Sequence, residues 1–74
     1  MATTAQAPPV ELIGEAAGIV WGILHDEGKM TFARLVKEAD LPRDLVMQAI
    51  GWLAREGKLH VEDVKRTRYV SLAD

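Results

Sequence analysis

Cysteine is absent from the 74 residues, which excludes disulfide staples, a thiol nucleophile and cysteine-ligated zinc. No apolar run reaches the length of a membrane span, and the opening MATTAQAPP lacks the charged start and apolar core of a secretory signal. A soluble, cytoplasmic protein is the expectation. Repeats and low-complexity segments are missing, as is a phosphate-binding loop: the glycines at 14, 18 and 22 have helical spacing and no GKS or GKT follows them. Lys and Arg are missing from residues 1–28, where Glu11, Glu15, Asp26 and Glu27 give −4, whereas 29–57 and 58–74 carry +1 each. With a net charge of −2 the chain is no polycation, so contact with a nucleic acid would fall to one face only.

A chain this short is one domain and buries only about 60% of its unfolded surface. Residues 1–9 end in Pro8 and Pro9 and are expected to form a disordered tail, leaving 10–74 as the domain. From Val10 to about Glu27, Ile13, Ala16, Ala17, Val20, Trp21 and Leu24 recur at helical spacing and are assigned to the core, with Gly28 as the stop. Lys29 and Met30 suit a short strand. Thr31 suits the cap of a second helix, whose apolar face is Phe32, Leu35, Val36 and Ala39 and which must stop near Asp40 or Leu41, before Pro42. Pro42 can open a third helix with Leu45, Val46, Ala49, Ile50 and Leu53 inward, Asp44, Met47, Gln48, Gly51, Ala54 and Arg55 outward, and Trp52 on the border. Gly57 ends it.

The remaining stretch alternates. Leu59, Val61, Val70 and Leu72 interleave with His60, Glu62, Tyr69 and Ser71, which predicts an antiparallel hairpin of 59–63 and 68–72 with one buried face. Its connection around Val64 to Thr67 has no glycine, so a loop somewhat longer than a tight primed turn is expected there. Helix, turn, helix and hairpin in this order make an α+β, mainly α fold: a winged helix-turn-helix of three helices and a small antiparallel β-hairpin wing.

Gly14, Gly18 and Gly22 form a bare stripe in the first helix, although each glycine costs a helix interior about 0.5–1 kcal/mol relative to alanine. Two readings stand side by side. Either the wing strands or the third helix pack against the stripe within the monomer, or a second subunit approaches there, on a surface that Leu12, Ile19 and Ile23 widen. The membrane version of that approach fails, because Glu11 and Glu15 interrupt a short apolar run.

Ile13, Gly14, Gly18 and Trp21, then AIGWLAREGK at 49–58 and YVSL at 69–72, resemble the small prokaryotic winged-helix proteins of an uncharacterised family over roughly residues 10–72. The resemblance implies a helix-turn-helix of the DNA-binding type without enzymatic activity, in which LAREGKL at 53–59 carries the end of the recognition helix into the first wing strand. Pro42 departs from the Ser or Thr that often starts such a helix, and so removes one hydroxyl for a phosphate.

Base edges are read by Arg on guanine and by Gln or Asn on adenine, with Lys and Arg nearby for phosphates. Arg43, Gln48 and Arg55 on the third helix meet these needs, and Lys65, Arg66 and Arg68 of the wing can follow the backbone or enter the minor groove. Asp44 opposes phosphate, and Met47, Gly51 and Ala54 match no base pattern. The expected function is binding of double-stranded DNA, in transcription regulation, through the third helix and a basic wing. The alternative is a protein-interaction or homodimerisation module in which Met47, Gly51 and Trp52, with Gly14, Gly18 and Gly22, dock a partner or a second copy; Trp52 can equally pack under the wing as core. Catalysis, cofactors and metals are not expected, since His25 beside Asp26 and Glu27 has no further ligand nearby and His60 stands alone on a strand.

Overall fold

The computed structural model describes residues 10–73, so the tail expected at 1–9 lies outside the described residues. Helix α1 spans Val10–Glu27, strand β1 Met30–Thr31, helix α2 Phe32–Ala39, helix α3 Arg43–Arg55, and strands β2 and β3 Leu59–Val64 and Thr67–Leu72. Among the described residues no helix is long and apolar enough to cross a membrane.

Each boundary has a local cause. Gly28 stops α1 at a φ of 82°, a backbone angle that glycine adopts without a steric penalty. The Thr31 hydroxyl accepts the Arg34 N–H at 3.1 Å and caps α2. Asp40 closes α2 in the left-handed region, its N–H donating to the Val36 carbonyl. Pro42 sits one residue outside α3 instead of opening it, and its carbonyl accepts the Val46 N–H at 3.0 Å. At the far end Lys58 N–H reaches the Leu53 carbonyl at 2.9 Å and Gly57 N–H the Ala54 carbonyl at 3.0 Å, with Gly57 at φ 73°. This paired closure ties the exit of α3 to the start of β2 and fixes the direction in which the chain leaves the helix.

The core joins Ala16, Ala17, Val20 and Leu24 of α1 to Leu35 of α2, to Val46, Ala49, Ile50 and Leu53 of α3, and to Met30, Leu59 and Val70 of the sheet. Trp21, expected among them, is instead 41% exposed and stacks on His25. At 100° per residue it falls beyond the edge of the face that Val20, Leu24 and Ala17 bury, on the side where α1 and the end of α3 leave an open groove. Met47 departs in the other direction: expected outward, it is half-buried against the core.

The wing is part of a larger sheet than a hairpin. Strand order is β1-β3-β2, with Met30 paired to Val70 and Thr31 to Tyr69 on one side of β3, and Leu59 to Leu72 through Val64 to Thr67 on the other. The central β3 buries Val70 completely, whereas Val61, its cross-strand partner on the edge strand, stays 40% exposed; the expected burial of Val61 fails because the helices close over Leu59 at the start of the edge strand but not over Val61. Pairing continues up to Val64 and Thr67, leaving Lys65 and Arg66 as a two-residue turn in place of the longer loop expected. Lys65 takes the φ of 58° that such a turn requires at its first central position, a place usually given to glycine. Lys29 ties the outer face together: its ammonium is 2.9 Å from Glu62 of β2 and 5.2 Å from the ring centre of Tyr69 on β3.

Candidate nucleic-acid interface

The two-residue turn determines where the wing cations lie. Because β2 and β3 stay in register to their last pair, Asp63 stands directly opposite Arg68. The guanidinium donates to both carboxylate oxygens, at 2.7 and 3.3 Å, the bidentate geometry that orients an arginine most firmly. This bond holds the Asp63 carboxyl below its ordinary range and raises Arg68 further above its own. Arg68 also lies over the Phe32 ring, 5.9 Å from its centre, so a cation–π contact from the first residue of α2 steadies the same group.

Around this braced arginine opens a shallow cleft of about 340 Å³ lined by Phe32, Arg43, Asp63, Lys65, Arg66 and Arg68. Four of the six predicted DNA-contacting residues are therefore brought together, Arg43 from the first position of α3 and three from the wing. Arg43, Lys65 and Arg66 are exposed and make no ion pair among the described residues, whereas Arg68 has its charge matched by Asp63. Of the other cations, Lys29 pairs with Glu62, Arg34 with Glu27 and Glu38, and Lys58 with Glu56, whereas Lys37 and Arg55, away from the cleft, make no ion pair among the described residues.

Gln48 and Arg55 are placed elsewhere. Gln48 lies five residues beyond Arg43, about 140° round the helix, and with Arg55 it lines a second cleft of about 540 Å³ beside Ile13, Gly51, Trp52 and Glu56. Trp52, 36% exposed, does not pack under the wing; it forms the ridge between that cleft and a neighbouring groove lined by Gly14, Ala17, Gly18, Trp21 and Lys58. The glycine stripe is open. A Cβ built at Gly14, Gly18 or Gly22 meets no atom within 4 Å, so neither the wing nor α3 occupies the space that those glycines leave, and the reading in which they pack within the monomer is set aside. Of the six residues assigned to an interaction surface, Gly14, Gly18, Gly51 and Trp52 line these adjoining grooves, while Met47 and Gly22 do not.

Two participants were missed in the sequence, Asp63 and Phe32. The signal for Asp63 was present as an acid at the last position of the expected first strand, opposite Arg68 at the first position of the second. Among the described residues no group of three His, Asp or Glu side chains is placed to hold a metal ion.

Known structures share this architecture. Protein BT2368 from Bacteroides thetaiotaomicron, solved by NMR, is 27% identical, with a TM-score of 0.77 over 84% of this chain and 76% of that one. BpsR of Bordetella bronchiseptica, a protein whose DNA binding is regulated by 6-hydroxynicotinic acid, is 25% identical with a TM-score of 0.75; the match covers 86% of this chain but only 47% of BpsR. The Zalpha domain of Carassius auratus PKZ, solved in complex with Z-DNA, shares the fold at 18% identity, with a TM-score of 0.69 over 81% of this chain and 95% of that domain. Among curated proteins no significant match exists. The sequence itself matches, over residues 6–72, the family profile described as a winged helix-turn-helix domain; with the three helices and winged sheet in place, the chain belongs to that family, DUF2582.

Proposed function

We propose that this chain is a DNA-binding module of the kind that serves transcription regulation, and that it grips the backbone of duplex DNA between the start of α3 and the wing. The observation that carries this reading is the convergence of Arg43, from the start of α3, with the adjacent Lys65 and Arg66 of the wing turn on one open cleft whose single acid is already engaged by Arg68. Three unpaired cations on one concave surface suit successive phosphates, while the rest of a net-negative molecule does not. Arg68 orients the wing base. Gln48, exposed further along α3, is the amide available to an adenine edge, and Arg55 stands at the far end of the same helix. The DNA binding of BpsR and the Z-DNA complex of the Zalpha domain support the reading by likeness of fold. A module of this kind works where the chromosome of a prokaryote lies, in the cytoplasm, and needs no cofactor or catalytic group.

The test is an amide-resolved NMR titration of the labelled chain with mixed-sequence duplex DNA at low salt. Shifts at residues 42–48 and 63–68 that added salt reverses are expected. Binding with no shift in the wing would overturn the assignment of the cleft, and no shifts anywhere would overturn DNA as the ligand.

A further inference from the structure

Helix α3 carries a glycine near its middle, where glycine weakens a helix relative to alanine. Nothing inside the domain takes up the space that Gly51 leaves, since a Cβ built there meets no atom within 4 Å. That space belongs to the cleft of about 540 Å³ between α3 and α1, a size in the range of small-ligand sites. Gln48, Trp52 and Arg55 follow one another at intervals of four and three residues, which puts them on one face of α3 around Gly51. The half-buried Ile13 of α1 lines the other side.

The charge of this cleft is not balanced. Arg55 makes no ion pair among the described residues, whereas Glu56, the one acid lining the cleft, is engaged by Lys58 at 3.5 Å. One unclaimed guanidinium therefore shares a concave surface with a partly exposed indole. We infer that the cleft binds a small organic monoanion, a carboxylate carried on a flat apolar body such as an aromatic ring. The guanidinium fork meets a carboxylate with two parallel hydrogen bonds, a match that a point charge does not offer. Trp52 and Ile13 supply the apolar contact for the body, and the indole face suits a second ring. The Gln48 amide both donates and accepts, so it serves a hydroxyl or carbonyl substituent. Each part of this description excludes an alternative. An inorganic anion leaves the indole unused, a neutral aromatic leaves Arg55 unused, and a chain of phosphates finds three unpaired cations in the other cleft against one here. The inference does not rest on the DNA reading, whose cations lie outside this cleft.

The test is an amide-resolved NMR titration of the labelled full chain with sodium benzoate, at an ionic strength held constant with sodium chloride. Saturable shifts at Ile13 and residues 48–56 are expected, with a Kd of about 1 mM, an affinity within reach of so small a ligand in an open cleft. Benzamide keeps the ring without the charge and acetate the charge without the ring, and each is expected to bind about tenfold more weakly or worse. Gly51→Leu fills the cleft at a position where an added Cβ clashes with nothing and leucine favours the helix. Arg55→Gln removes the cation from an exposed site. Both are expected to keep the native circular dichroism and to weaken benzoate binding about tenfold or more; should one of them unfold, the other decides. Lys65→Ala with Arg66→Ala is expected to leave benzoate binding unchanged, which separates this cleft from a general attraction of anions to the wing. Absence of saturable shifts up to about 20 mM benzoate, equal binding of benzamide or acetate, binding that survives both Gly51→Leu and Arg55→Gln, or binding lost in the Lys65, Arg66 variant overturns the proposal.

Discussion

Removing Lys65 and Arg66 together tests how the basic cleft acts. Each cation that meets a phosphate releases condensed counterions, and log K falls against log salt with a slope of about 0.9 per contact. Arg43, Lys65 and Arg66 are the unpaired cations of the cleft, so they account for a slope of about −2.7, which a Lys65→Ala, Arg66→Ala variant reduces to about −0.9. Between about 50 and 200 mM salt the cleft's contribution to affinity then falls about 40-fold in the parent chain and about 3.5-fold in the variant. The companion variant is Asp63→Ala, Arg68→Ala, which deletes an ion pair of no net charge and is expected to leave the slope nearly unchanged. Fluorescence anisotropy of a labelled mixed-sequence duplex, titrated at several salt concentrations, gives all three slopes. Equal slopes for the parent and the Lys65, Arg66 variant would refute the reasoning, as would an equal drop on removing the Asp63–Arg68 pair.

Leu35 is fully buried, and Leu35→Ala is expected to cost about 2–5 kcal/mol, comparable to the whole stability of so small a domain; urea unfolding followed by circular dichroism should show a largely unfolded chain in buffer. Lys65 holds a φ of 58°, so Lys65→Gly is expected to relieve about 1 kcal/mol of backbone strain and to raise the melting temperature even as it removes a cation from the cleft. Because Arg68 holds the Asp63 carboxyl below its ordinary value, the pair supports the hairpin above the usual carboxylate range and that support is lost as pH falls through the lowered value. The same sign applies to Glu62 beside Lys29. Thermal melts of parent and Asp63→Asn at decreasing pH should converge in acid, and a constant difference between them would contradict the assignment.

The helices were legible because their signals are local. Thr31, Gly28 and Gly57 mark their ends through hydrogen bonds and φ values that depend on neighbours in sequence, and the spacing of Leu35, Val46, Ala49 and Leu53 alone identifies buried faces. What escaped depends on distant pairing. The turn length could not be seen because Lys65 takes, under tertiary constraint, a conformation its type disfavours; the bidentate Asp63–Arg68 bond and the partial neutralisation of the wing depend on side-chain geometry that strand alternation does not carry. Val61 and Trp21 carry the right periodicity for burial, but which strand is central and where the groove between α1 and α3 opens are properties of the assembled domain. The predicted DNA residues divide for the same reason. Arg43 and Gln48 share a helix, and only the position of the wing decides which of them gains cationic neighbours.

The strand order also bears on how the chain is made. β3 supplies hydrogen-bond partners to both other strands, yet it is the last of the elements to leave the ribosome, some forty residues after the β1 strand that it pairs. Until it emerges, β1 and β2 have no neighbour and the apolar side of Met30 and Leu59 has no Val70 to close it. The helices can dock early through short-range contacts, whereas the sheet must form late and in one step, since contacts of long sequence separation are the slow ones to close. A chain cut before Thr67 is therefore expected to expose two unsatisfied strands, the form of this protein most open to chaperones and to unwanted pairing.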